Sequence, residues 1–396
     1  MKTVLKRLVQ VLKVAKRLSK IPPFRVMELL ARANELASLG HDVIHLEVGE
    51  PDFDVPAPIL AAGVRAISEG KTRYTDARGT PELRQVISGF YKFSLGIEVK
   101  AERIFVTAGA SGGLLMLSAL LLDPGENLLM PDPGYPCNRH FLSSFNAEGL
   151  LVPVDADQNY QLTPTLVEEY WTRATRGILV ASPANPTGSI LSQKAIRELG
   201  EVVRKKDGIM IVDEIYQGLV YENHTSGSAL AQVPEAIVIN SFSKYFGMTG
   251  WRLGWVVVPE EIATDLEKLA QNLFICPSSI AQEAALSAFD PESIATMEAQ
   301  KAEFAARRNY LVPALKELGF EIPLMPAGAF YVYAGLPDGV PDSEQFCHCL
   351  LENYFVAVTP GTDFGFHNAD RSIRISYARD LSQLKEAVYR IRKMLG

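Results

Sequence analysis

The chain has 396 residues, of which 47% are hydrophobic and 21% charged, with a formal net charge of −7. Residues 1–27 hold eight basic side chains and no acidic one, so the remainder sets 31 basic against 46 acidic residues, a net −15. A body this acidic excludes a nucleic-acid-binding surface over most of the protein, and the apolar content excludes disorder. The length predicts two or three domains, or one large domain with a smaller companion.

In the first 20 residues Val4, Leu5, Leu8, Val11, Leu12, Ala15 and Leu18 recur at helical spacing, opposite Lys2, Lys6, Lys13, Lys16, Arg17 and Lys20. This pattern predicts a basic amphipathic helix. Charges break its apolar side and no small-residue cleavage site follows, so it is not read as a secretory signal. The expectation is an arm docked on the acidic body; a subunit-packing arm, a membrane-surface helix and a targeting extension are the other readings. Elsewhere charges interrupt every apolar run well before 18 residues, so no transmembrane helix is predicted.

Beyond Pro22-Pro23, residues 25–39 read as a helix ended by Gly40, residues 43–48 as a strand, and Gly49-Glu50-Pro51-Asp52-Phe53 as a turn. A helix over 57–69 follows. Short apolar strands are then predicted at 104–107, 127–130, 150–154, 177–181, 209–212, 237–240 and 255–258, mostly separated by helical or turn segments. That alternation predicts an α/β domain with a largely parallel sheet buried on both faces. Residues 262–315 read as a long helix leading away from the sheet. Strands at 328–334, 356–359 and 373–378 and a helix at 381–395 then predict a smaller α+β domain. The division expected is an extension at 1–20, a segment at 21–56 completing the small domain, a large domain at 57–290 and a small domain at 291–396.

The four cysteines are too few and scattered for a disulfide framework, which suits a reducing, cytoplasmic setting. Cys347-His348-Cys349 lacks the second ligand pair that zinc needs, and is read as thiols on a buried helix rather than a metal site.

In open α/β sheets ligands bind beyond the carboxyl ends of the strands, and four such loops are rich in reactive groups. After 237–240 come Ser241, Ser243, Lys244 and Arg252. A lysine there, beside cationic neighbours, is a candidate covalent amine, and the hydroxyls and arginine are candidate phosphate donors. After 209–212 comes Asp213, a carboxylate at the end of a buried strand that needs a cationic partner, with Tyr216 one turn on. After 177–181, Pro183 and Pro186 flank Asn185 and fix the backbone around its amide. After 104–107, Ala108-Gly109-Ala110-Ser111-Gly112-Gly113 exposes backbone N–H groups before a helix from Leu114. This turn lacks the dinucleotide fingerprint.

Ser-Pro-Ala-Asn-Pro-Thr-Gly at 182–188, Val-Asp-Glu-Ile-Tyr at 212–216 and Ser-Phe-Ser-Lys followed by Met-Thr-Gly-Trp-Arg-Leu-Gly-Trp at 241–255 together resemble the class I/II aminotransferases, pyridoxal-phosphate enzymes of fold type I that include aspartate and alanine aminotransferases. The resemblance extends to residues 49–53, 74–79, 132–136 and 374–378, and spans about residue 22 to the end. It implies that Lys244 holds the cofactor as an aldimine and shuttles a proton between the substrate Cα and the cofactor's C4′ carbon. Asp213 would keep the pyridine nitrogen protonated, Asn185 and Tyr216 would bind its phenolic oxygen, and Tyr135 would stack on the ring. Ala110, Ser111, Ser241, Ser243 and Arg252 would hold the phosphate, joined by Tyr74 from the other subunit of a homodimer. Arg374 would bind the substrate carboxylate, with Gly49 and Asn185 beside it.

Ser111 stands where some aspartate-specific relatives carry a lysine, which tilts the expected amino donor toward alanine or another neutral or aromatic amino acid, with a 2-oxo acid such as 2-oxoglutarate as acceptor. Phe330, Tyr331, Tyr333, Phe364 and Phe366 are candidates for an apolar substrate pocket, or for core. Two alternatives are a lyase or decarboxylating enzyme on the same fold and a transcription regulator with an aminotransferase-like domain. For the latter, 20 extra residues are too few to form a winged helix.

Overall fold

A computed structural model describes residues 13–222, 224 and 227–396. Most of the predicted amphipathic helix lies outside the described residues. Within its described part, Lys16–Lys20 forms a short 3-10 helix with no buried side chain.

The chain then runs through α1 (Arg25–Ser38), β1 (Ile44–His45), α2 (Ala57–Ser68), α3 (Pro81–Leu95), β2 (Ile104–Thr107) and α4 (Gly109–Leu121). Next come β3 (Asn127–Asp132), α5 (Pro136–Ser143), β4 (Glu148–Pro153), α6 (Pro164–Tyr170), β5 (Thr175–Ala181), α7 (Gln193–Lys205) and β6 (Ile209–Asp213). They are followed by β7 (Ile237–Ser241), β8 (Gly254–Val257), α8 (Glu260–Leu273), α9 (Ser279–Leu286) and α10 (Pro291–Glu317). The C-terminal part holds β9 (Tyr331–Gly335), α11 (Ser343–Tyr354), β10 (Val356–Ala357), β11 (Thr359–Pro360), β12 (Ser372–Ser376) and α12 (Leu381–Leu395).

Seven strands form one sheet in the order β2-β8-β7-β6-β5-β3-β4, parallel except for β8. Successive apolar residues feed opposite faces, as a strand period of two requires. Ile178, Val180, Val212 and Val238 join one core, with α3, α7 and α9 packed over it. Leu179, Ile211, Ile237 and Ile239 join the other, under α4 and α8. Each such buried side chain contributes about 1.5–3 kcal/mol relative to exposure. Because β8 alone is reversed, the carboxyl ends of β2, β3, β5, β6 and β7 share one edge, and the site lies there.

A smaller body holds the antiparallel sheet β11-β12-β9 and the parallel pair β1-β10. Its core joins Ile44 and Leu46 to Phe304, Leu311, Phe330, Val332, Leu350, Ile373 and Leu384. Ile44 lies opposite Val356, so a segment from near the start of the chain completes a core built mainly from its end.

Several boundaries differ from the sequence reading. Residues 262–315 are not one helix: α8 stops before Ile275, whose φ is 65°, Ser278 caps α9, and Pro291 opens α10. Proline cannot supply an N–H to a helix already under way, and it suits the first helical position. The strand read at 43–48 keeps two residues as β1, and the run 356–359 splits into β10 and β11. The helix expected from Leu114 starts at Gly109. Cys347 is buried within α11. Among the described residues no group of three His, Cys, Asp or Glu could hold a metal, and no helix is long and apolar enough to cross a membrane.

Candidate active site

At the carboxyl edge of the large sheet lies a cavity of about 240 Å³. Gly49, Ala110, Ser111, Tyr135, Asn185, Asp213, Tyr216, Ser241, Ser243, Lys244, Arg252 and Arg374 all line it. Tyr74 does not; it sits between α2 and α3 and is 81% exposed.

Lys244 follows β7, and its Nζ donates to the carbonyl oxygen of Gly49 at 2.6 Å. Desolvation, reinforced by the nearby cations Arg374 and Arg252, pulls this amine from an ordinary 10.5 down to about 8, against the opposing pull of Glu50 and Asp213. A substantial fraction is therefore neutral and nucleophilic near neutral pH. Asp213 ends β6 and is buried, accepting the Ile215 N–H at 3.0 Å. Burial pushes its carboxyl up to about 6. Glu214, the next residue, serves the scaffold: it accepts the Ser228 hydroxyl at 3.0 Å and the Ala229 N–H at 2.6 Å, and burial pushes it up to about 8.

Arg374 lies on β12, the central strand of its sheet, and is 2% exposed. It donates to Asn185 Oδ1 at 3.1 Å, to Thr359 Oγ1 at 3.4 Å and to the Glu47 carbonyl oxygen. Tyr331 and Phe364 stack on its guanidinium at 4.5 and 4.7 Å. The fork is thus held in one orientation with donors to spare, its Nε having no hydrogen-bond partner among the described residues. The Asn185 oxygen is taken by Arg374, which leaves its amide N–H for a ligand oxygen. Tyr216 shares a 2.7 Å hydrogen bond with Tyr331, its ring 5.9 Å from the Lys244 nitrogen.

The amino end of α4 suits an anion: Ala110 and Ser111 fall in the first turn, where backbone N–H groups have no acceptor within the helix, and no side chain caps it. Gly109 has φ +68°, and a Cβ there would lie 2.8 Å from Arg252 Nη2, so only glycine lets the guanidinium approach this turn. Ser241 donates to Ser243 at 2.9 Å, setting both hydroxyls beside Arg252.

This donor set fits pyridoxal phosphate. The helix turn, serines and Arg252 suit the phosphate, the buried Asp213, with no ion-pair partner among the described residues, suits a cationic ring nitrogen, and Lys244 suits an aldehyde. Among the aromatic candidates Tyr331 lines the cavity, and Phe364 backs Arg374. Phe330 and Tyr333 are core, and Phe366 is 78% exposed. The sequence reading misses the apolar roof of Phe24, Val26 and Met27 and the contacts of Glu47 and Thr359 to Arg374. No local spacing marks these; they arrive from distant segments.

Residues 41–391 match the family model for aminotransferase class I and II. The chain is 38% identical to the (5-formylfuran-3-yl)methyl phosphate transaminase of Methanocaldococcus jannaschii, over 97% of this chain and 100% of that one. It is 37% identical to the valine–pyruvate aminotransferase of Mycobacterium tuberculosis, over 94% and 96%. It is 35% identical to the aspartate aminotransferase of Pyrococcus horikoshii, over 96% and 97%. A crystal structure of an aminotransferase from Mycobacterium tuberculosis superposes with a TM-score of 0.93 at 36% identity, covering 97% of this chain and 99% of that one. The Thermus thermophilus aspartate aminotransferase with maleate superposes with 0.91 at 31% identity, covering 96% and 99%.

Proposed function

The chain belongs to the class I and II aminotransferases and has their fold type I α/β architecture, and on that premise we propose that it moves the amino group of a neutral L-amino acid to a 2-oxo acid such as 2-oxoglutarate or pyruvate, using pyridoxal phosphate. The observation that carries this reading is the convergence on one cavity of a desolvated amine, a buried carboxylate and an oriented arginine, Lys244, Asp213 and Arg374.

Pyridoxal phosphate, when bound, supplies an aldehyde carbon for amine exchange and a ring that draws electrons from the bonds at the substrate Cα. Lys244 would anchor it, and its Nζ, once displaced by the substrate amine, would serve as the base that takes up and moves the Cα proton. Asp213 would keep the ring nitrogen protonated. Asn185 and Tyr216 would donate to the phenolic oxygen, Tyr135 would pack against the ring, and Ala110, Ser111, Ser241, Ser243 and Arg252 would bind the phosphate. Arg374 orients the substrate through its carboxylate, beside Gly49.

The preference for a neutral side chain is supported by the lining. Among the described residues its charged groups are Asp213, Lys244, Arg252 and Arg374, each assigned above, while Phe24, Val26, Met27, Val48, Leu114 and Ile215 are apolar. Within one chain, an aspartate side chain would find no cation in this lining that is not already assigned. The working form proposed is a cytoplasmic homodimer in which Tyr74 reaches the partner's phosphate site. Its exposure, and the exposed apolar face of Leu60, Val64 and Ile67 on α2, support this. The chain divides into a small domain of residues 21–56 with 291–396 and a large domain of 57–290.

The test is a screen of amino acids with 2-oxoglutarate and with pyruvate. Glutamate or alanine should accumulate with neutral donors. Ammonia or CO2 release without either would point instead to a lyase or decarboxylase.

A further inference from the structure

Asp132 ends β3 at the same sheet edge as the site but does not line the cavity. It is 3% exposed, and burial pushes its carboxyl up, with Arg139 and His367 opposing. Its oxygens accept two backbone N–H groups from the smaller body: Phe366 at 3.0 and 3.1 Å and His367 at 3.3 Å. A Cβ on Gly365 would lie 1.6 Å from Asp132 Oδ1, so the loop is seated directly on the carboxylate. Close by, the Gly134 N–H donates to the Phe364 carbonyl at 2.9 Å. An outer layer repeats the join, with His367 Nε2 at 3.0 Å from Asp155 and Asn368 Nδ2 donating to the same carboxylate at 3.3 Å.

This loop carries Phe364, whose buried ring backs the Arg374 guanidinium at 4.7 Å. The joint between the two bodies therefore bears on the group that receives the substrate carboxylate. Tyr135, one residue beyond Gly134, lies on the cofactor side of the same joint. We propose that Asp132 is a positioning residue for the reaction: it clamps residues 364–367 to the end of β3 and so fixes Arg374, through Phe364, at the distance from the cofactor site that an amino acid needs.

The proposal rests on the aminotransferase reading, and its test separates the two. Holoenzyme of the wild type and of Asp132→Asn is mixed, without acceptor, with a neutral L-amino acid and with the primary amine that lacks only the carboxylate. The amine makes no use of Arg374. In Asp132→Asn the cofactor absorbance should be retained, the amino-acid concentration that half-saturates this single half-reaction should rise about tenfold or more, and its limiting rate should change far less. The slow reaction of the amine should stay at the wild-type rate. A parallel fall for both compounds, or no change for either, would overturn the clamp. If Asp132→Asn yields no soluble holoenzyme, Gly365→Ala attacks the same contact from the loop side and should give the same split. A wild type that leaves the neutral amino acid unconverted would overturn the proposed neutral-donor reading instead.

Discussion

The Lys244 amine and the Gly49 carbonyl are 2.6 Å apart, and this single bond joins the end of β7 to the turn that leaves β1. The carbonyl holds the amine inside the cavity. Lys244→Ala should abolish turnover, lowering it by at least about 10³-fold, and should remove the visible absorbance of the purified protein. Absorbance with normal activity in the variant would show that another residue is the anchor.

The same amine has a distinctive titration. In cofactor-free protein its reaction with an amine-directed reagent should rise with pH to a midpoint near 8, followed by mass spectrometry of the peptide carrying Lys244. A midpoint near 10.5, the ordinary lysine value, would contradict the desolvated setting.

Asp213 gives a prediction about stability. Its folded-state carboxyl is raised from 3.8 to about 6, so the cofactor-free folded protein binds the extra proton between these values and loses stability as pH rises through them. Asp213→Asn should therefore stabilise the cofactor-free protein above pH 6, by on the order of 1–3 kcal/mol, while gaining nothing below pH 4. Turnover should fall severely in the same variant. Denaturant melts at pH 4 and pH 7.5 check the sign.

Arg374→Ala removes a buried donor fork rather than a surface charge. Losing one partner of a buried ion pair costs about 3–5 kcal/mol, so kcat/KM for the amino acid should fall by roughly 10²–10⁴-fold with the cofactor colour intact. Arg374→Lys should recover little, because an ammonium cannot fill the space between Tyr331 and Phe364 with a planar fork.

The partner-subunit role proposed for Tyr74 is open to a spectroscopic test. Tyr74→Phe should weaken cofactor retention about 10–100-fold without altering the secondary structure, the loss expected for one hydrogen bond to a charged group. Unchanged retention would remove Tyr74 from the phosphate site.

The strand ends were legible because a strand buried on both faces is a continuous apolar run, and the polar residue that stops it is conspicuous. Asp213, Ser241 and the turn at 182–188 stand out this way. The helices α3 and α7 are not among the elements read from the sequence, although Thr80 and Ser192 cap them with side-chain oxygens. Such caps are single residues whose meaning depends on the geometry of the chain that follows. The roof at Phe24–Met27 was illegible for a different reason. It is placed by long-range contacts, the Arg25 N–H to Asp363 at 3.3 Å and the Arg25 side chain to Glu344 at 2.9 Å, which leave no local pattern.

The pairing of β1 with β10 has a consequence for how the protein is made. The large sheet is drawn from an unbroken stretch, β2 through β8, so its strands can assemble as soon as that stretch has left the ribosome. The smaller core must wait, since Ile44 is among the first structured residues synthesised and Val356, Ile373 and Leu384 among the last. Lys244 and the turn at the start of α4 therefore belong to the part that forms early, and Arg374 to the part that forms late. With the roles proposed above, a newborn chain would acquire the means to hold a cofactor before it acquires the means to choose a substrate.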